Sequence, residues 1–163
     1  MKRVAADIVP MTRSHSETCS GIVAASEPWK TLNERIDFSK YMSLNEAYVC
    51  IHEGETAGFI IFTPEPVFAR GGYIRAVAVA PVMRRRGIGE KLLAFAESAI
   101  VRRSPNAYLC VSSFNRRGQM FYRSLGYTRV GRLPDLIMPG ASEYIYWKRL
   151  RPLPQRNRRR HRL

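Results

Sequence analysis

The chain has 163 residues, 45% of them hydrophobic, which is enough for one well-buried core and short for two. Its formal net charge of +14 points to an anionic partner, and the charge is unevenly spread. Residues 148–163 hold eight Lys/Arg and no carboxylate, which leaves 19 basic against 13 acidic residues, a net +6, in residues 1–147.

Three cysteines (Cys19, Cys50, Cys110) and three histidines show no ligand spacing, so reduced thiols and no bound metal are expected. No run reaches the length of a membrane span, and no N-terminal stretch has the order of a signal peptide. A soluble, cytoplasmic protein without membrane contact is the expectation.

In chain order, a short apolar run at residues 4–9 reads as a strand. Thr12 or Ser14 caps a first helix running toward Ser26, "SEPW" breaks the chain, and a second helix is predicted over residues 31–42. "AYVCIHEGETAGFIIFTP" reads as a hairpin around Glu53-Gly54-Glu55, and "GGYIRAVAVA" as a strand stopped by Pro81. Apolar residues at helical spacing predict an amphipathic helix over residues 87–103. "AYLCVSS" is a short buried strand, residues 115–125 a further helix closed by Gly126, and "YTRVGRL" and "EYIYWKRL" two last strands. The order β-α-α-β-β-β-α-β-α-β-β predicts an α/β (mixed α+β) domain over residues 1–150, built on one mixed, mostly antiparallel sheet flanked by helices. Residues 151–163, rich in Arg, read as a basic tail with too little apolar content to bury.

"VAVAPVMRRRGIGEKLL" places three cations and a Gly-Ile-Gly step where a strand passes into a helix. The first turn of a helix offers unpaired N–H donors and favours anions, and glycines let a ligand approach them. Arg84, Arg85 and Arg86 carry the wrong sign for stabilising that helix, which suits a phosphate bound in the turn. The dinucleotide fingerprint fails because its third glycine is Leu92, and no Gly-Lys-Ser/Thr follows for a P-loop.

This stretch, with Arg84, Gly87 and Gly89, resembles motif A of the GCN5-related N-acetyltransferases. "NRRGQMFYRSLGY", with Asn115 and Tyr122 seven residues apart, is similar to their motif B. The resemblance covers residues 47–148 and implies acetyl-CoA as co-substrate, with no metal. It implies that Arg84 and the backbone of Arg85, Arg86, Gly87, Ile88, Gly89 and Glu90 hold the pyrophosphate. Val77, Ala78 and Val79 would pair along the pantetheine arm, Asn115 would bond the arm, and Tyr122 would stand near the sulfur as general acid. Without the family, Tyr122 reads as a core aromatic.

The base is less legible. Relatives carry a glutamate where this chain has Cys110 or Arg75, which leaves Glu143 and Glu65 as candidates, with a water relay as the alternative. Arg75 is expected to select an anionic acceptor or else to sit at an exposed edge, and Trp29 to line the acceptor pocket or the core. The expected activity is acetyl transfer to a primary amine (a small amine, an amino-acid derivative or a peptide N-terminus) by direct attack in a ternary complex. The competing reading is a basic protein that contacts nucleic acid or the ribosome through its tail. The family commonly forms homodimers.

Overall fold

The computed structural model describes residues 5–154; the arginine-rich stretch at 155–163, to which a nucleic-acid contact was assigned, lies outside them. Seven strands form one sheet in the order β1-β2-β3-β4-β5-β7-β6. These are β1 (Ala6–Pro10), β2 (Ala47–His52), β3 (Glu55–Phe68), β4 (Gly71–Val79), β5 (Asn106–Ser112), β6 (Thr128–Pro134) and β7 (Ser142–Arg149). Every neighbouring pair is antiparallel except β4 and β5, which need the crossover helix between them. The β2–β3 hairpin turns on Glu53 (φ 51°) and Gly54 (φ 81°). Both residues at positive φ give the two-residue turn whose twist matches the strands.

Helix α1 (Ser16–Ala24) is entered through a 3₁₀ turn at Arg13–His15, where the Thr12 N–H donates to His15 Nδ1 at 3.0 Å. The predicted second helix divides in two. Asn33, left-handed at φ 51°, ends α2 (Trp29–Leu32), and α3 (Phe38–Ser43) restarts with Asp37 as N-cap, its carboxylate accepting the Ser39 N–H at 3.0 Å. Both residues favour caps and turns because their side chains compete with the helical backbone. The other two helices are α4 (Ile88–Ile100) and α5 (Arg116–Ser124), the latter followed by Gly126 at φ 90°.

Strand alternation sends side chains to opposite sheet faces and makes two cores. On one face Ile60, Phe62, Leu109, Val111 and Tyr146 meet α4 through Ile88, Leu92, Leu93, Ala96 and Ile100. Each large apolar side chain buried this way contributes about 1.5–3 kcal/mol. On the other face Val49, Phe59, Ile61, Ala76 and Ala78 meet Cys19, Ile22 and Val23 of α1 and Phe38 of α3. No helix among the described residues is long and apolar enough to cross a membrane.

Tyr146 is fully buried, and its hydroxyl has no hydrogen-bond partner among the described residues. An unpaired buried polar group is destabilising. Tyr146→Phe is therefore expected to stabilise the fold by about 1 kcal/mol, a rise in Tm of about 2–4 °C. A thermal melt checks this, and a lower Tm would mean that the hydroxyl is bonded in solution.

Candidate active site

The strands β4 and β5 are joined only from Gly71↔Asn106 to Ile74↔Leu109. Beyond that, β4 stays with β3 as far as Gly58↔Val79, and β5 stays with β7 as far as Ser112↔Glu143. The cause of the parting is a bulge. Where β3 steps from Ile61 to Phe62, β4 steps from Ala76 to Ile74, so Arg75 is an extra residue and the strand bends there. In an antiparallel ladder alternate residues bond the same neighbour. The Ala80 N–H donates to Ala57 O at 2.8 Å, so Ala78 also turns to β3 and Val77 and Val79 turn their backbone groups to the gap. The edge facing the gap is thus a strand edge without a strand beside it.

At the end of β4 the chain makes a short 3₁₀ turn, Pro81–Met83, and then passes Arg85 (φ 61°) and Gly87 (φ 79°) into α4. Lys91 N–H to Gly87 O, at 3.0 Å, closes the first turn. The N–H groups of Ile88, Gly89 and Glu90 come before that bond and have no intrahelical partner. A Cβ on Gly87 would meet nothing within 4 Å, so the space over the helix end is open. A Cβ on Gly89 would lie 3.1 Å from the Phe121 ring, so this glycine also lets α4 and α5 approach. Arg85 and Arg86 are exposed, whereas Arg84 is turned inward. Its guanidinium donates to Val79 O (3.1 Å), Ala25 O (3.3 Å) and Ser26 Oγ (3.1 Å), which ties the turn to the end of α1. An open helix end with unpaired donors, a glycine lacking any neighbour and two exposed arginines fit a pyrophosphate.

Helix α5 stands on the α4 side of the gap. Asn115 is its N-cap, accepting the Gly118 N–H at Oδ1 (2.9 Å), which leaves the Nδ2 donors for another partner. Tyr122 packs 5.2 Å from Phe121 and 5.9 Å from Tyr127, ring centre to ring centre. Burial alone pushes its hydroxyl well above the usual phenol range, so it stays protonated at neutral pH.

The opposite face carries a different set. Leu109 and Val111 point to α4, so Cys110 and Ser112 point away, and Glu143 stands beside Ser112 across the β5–β7 ladder. The buried Glu143 carboxylate accepts a hydrogen bond from Ser112 Oγ. Burial raises its pKa, the Ser112 bond partly offsets this, and the Glu34 charge raises it further. Tyr73 and Cys110 lie close enough to Glu143 to feel its charge. Arg75 is exposed, with its guanidinium 5.6 Å over the Tyr41 ring and 5.4 Å over the Tyr73 ring.

The remaining candidates fall elsewhere. Trp29, half-buried, packs on Phe59 at 6.4 Å against the edge of the α1–α3 core. Glu65 pairs with Arg103 at 3.3 Å, both largely exposed, beyond the C-terminal end of α4, whereas the glycine turn lies at its start. Tyr41, Tyr73 and Glu34 were not singled out in the sequence. Alternation puts Tyr73 and Arg75 on the sheet face opposite Ile74, and the bulge keeps Ala76 on that face as well.

A sequence model of the Acetyltransferase (GNAT) family matches residues 10–127. No curated protein matches the chain. Among solved structures, Ard1 from Thermoplasma volcanium superposes with a TM-score of 0.75 at 22% identity, over 91% of this chain and 100% of that one. The ribosomal-protein-S18-alanine N-acetyltransferase from Escherichia coli gives 0.72 at 16% identity, over 93% and 97%. An aminoglycoside 6'-N-acetyltransferase complexed with coenzyme A gives 0.70 at 18% identity, over 91% and 99%. At these identities the likenesses show the fold.

Proposed function

The chain belongs to the GNAT family of acetyl-CoA-dependent acetyltransferases, and from that premise we propose that it acetylates a primary amine by direct attack in a ternary complex. The observation that carries the reading is the gap between β4 and β5, with a protonated phenol on one sheet face and a buried carboxylate on the other. Acetyl-CoA supplies an activated thioester. The open edge at Val77, Ala78 and Val79 takes its pantetheine arm as an added strand, with the Val79 N–H directed at the thioester oxygen. The backbone from Arg85 to Glu90 receives the pyrophosphate, and Asn115 Nδ2 bonds the arm.

Two proton transfers remain, and the two faces divide them. An ammonium group must lose a proton before its nitrogen can attack, and a carboxylate with a raised pKa is a better base than an exposed one. Glu143 takes that role on the open face. Tyr122, on the α4 face, donates its proton to the departing sulfur.

Calorimetry with acetyl-CoA, followed by thiol release with a panel of primary amines, tests the reading. Micromolar binding with amine-dependent release supports it, and a folded protein that binds no acetyl-CoA overturns it. Glu143→Gln is expected to slow turnover about 10²-fold and to remove the acidic limb of the pH–rate profile. The same variant has a stability signature. The folded-state pKa of Glu143 lies above its unfolded value, so its contribution is fully present below the unfolded pKa and is lost as pH rises through the folded one. Glu143→Gln should therefore melt above the wild type at about pH 7, with the difference closing near pH 4. Equal melting at both values would remove the buried charge from the account.

A further inference from the structure

The bulge in β4 does more than open the sheet. Tyr73 and Arg75 share a sheet face by alternation, and the extra residue keeps Ala76 on that face too, so Arg75 stands at the point where β4 leaves β5. Two aromatic rings, Tyr41 from α3 and Tyr73 from β4, hold the Arg75 guanidinium, and no carboxylate among the described residues lies within 4 Å of it. Rings engage the faces of the guanidinium plane and leave its N–H donors at the edge for another group. Arg75 makes no hydrogen bond to a side chain or carbonyl among the described residues, in contrast to Arg84, which makes three.

Across the same mouth the charge has the opposite sign. Glu143 sits at the start of β7, and Glu34, between α2 and α3, lies near enough to raise its pKa. Tyr73, whose ring lies 5.4 Å from the Arg75 guanidinium, is also within electrostatic reach of Glu143. The mouth therefore offers a cation held on rings and a buried anion, both within reach of Tyr73. A ligand complementary to both carries a positive and a negative group on one small skeleton.

We propose that the acceptor is an amino carboxylate, with its carboxylate bound by the Arg75 fork and its amine presented to Glu143. The inference rests on the acetyltransferase reading above and adds the substrate class. Arg75 acts on specificity: its planar donors match a carboxylate in two-point contact, which fixes the distance and direction of the amine. A phosphate in that position would bring a second negative charge toward Glu143 and Glu34, so the carboxylate is the better match. In the reaction the ammonium gives one proton to Glu143, the amine nitrogen forms a bond to the acetyl carbon, the carbon–sulfur bond breaks with the thiolate taking the Tyr122 proton, and the second proton lost by the nitrogen restores Tyr122.

The test uses the full chain, acetyl-CoA, the common L-amino acids, their carboxamides and aminoethyl phosphate, with thiol release as the readout. At least one amino acid is expected to exceed its own carboxamide about tenfold or more in kcat/KM, because a site built for a carboxylate is left unpaired by the amide. Arg75→Gln should raise the KM for that amino acid at least about tenfold, remove the acid-over-amide preference and leave acetyl-CoA affinity, read by calorimetry, where it was. Arg75→Lys should recover only part of the loss, since an ammonium lacks the fork. Equal turnover of acid and amide, preference for aminoethyl phosphate, or an unmoved KM in Arg75→Gln would each overturn the proposal. So would acetyl-CoA binding with no release from any amino acid. Failure to bind acetyl-CoA at all would sink the acetyltransferase reading first, and the two failures are thereby distinguished.

Discussion

Gly89→Glu is expected to lower acetyl-CoA affinity at least about a hundredfold, or about 2.7 kcal/mol. Two effects act together at this position. The new carboxylate lies in the first turn of α4, among the unpaired N–H donors proposed to receive a pyrophosphate, and like charges in contact cost several kcal/mol. The new Cβ also comes within 3.1 Å of the Phe121 ring and within 3.6 Å of Val79, so α5 or the end of β4 must give way. Gly89→Ala separates them, because it carries the crowding without the charge. Calorimetry beside a thermal melt reads both. Binding kept in the alanine variant and lost in the glutamate variant supports the phosphate turn. Equal loss in both would assign the effect to the contact between α4 and α5, and unchanged binding in Gly89→Glu would move the pyrophosphate elsewhere.

Tyr122→Phe is expected to slow turnover at least tenfold and by as much as about 10⁴-fold, the range of a positioned general acid, while acetyl-CoA still binds. Phenylalanine keeps the ring contacts with Phe121 at 5.2 Å and Tyr127 at 5.9 Å, so the helix has no packing reason to shift. What disappears is a hydroxyl that burial holds protonated through the neutral range. A thiolate leaving without that proton is the poorer leaving group, so the loss belongs in kcat. Single-turnover thiol release separates this step from binding. Full activity would return Tyr122 to the role of a core aromatic.

The elements that sequence alone located share one property: their signals are local. The glutamate-glycine pair at residues 53 and 54, the 3.6-residue repeat from Ile88 to Ile100, and the asparagine and glycine that bracket α5 each act on their own few residues. The split at Asn33 and Asp37 was equally local and was missed, because apolar residues on either side continued a helical repeat across the break. The two motifs were legible for the same reason. A phosphate turn is built from consecutive residues, so its chemistry can be read from arginines and glycines in a row.

The acceptor side is of another kind. Arg75, Tyr41, Glu34, Cys110 and Glu143 come from five separated stretches, and nothing in their own neighbourhoods announces that they meet. Their meeting depends on strand pairing: β4 leaves β5 after Ile74, where Arg75 forms a bulge, and the faces of β4 and β5 beyond that point are set by the register of the whole sheet. Tertiary structure likewise packed a half-buried Trp29 on Phe59, paired Glu65 with Arg103, tied Arg84 to the end of α1 and set Gly89 against α5. Periodicity and turn chemistry act over a few residues and so located most of the elements, and two motifs of consecutive residues carried the resemblance that implied the family and the donor substrate. Which side chains share a face is a matter of long-range pairing, and only the folded sheet decided that.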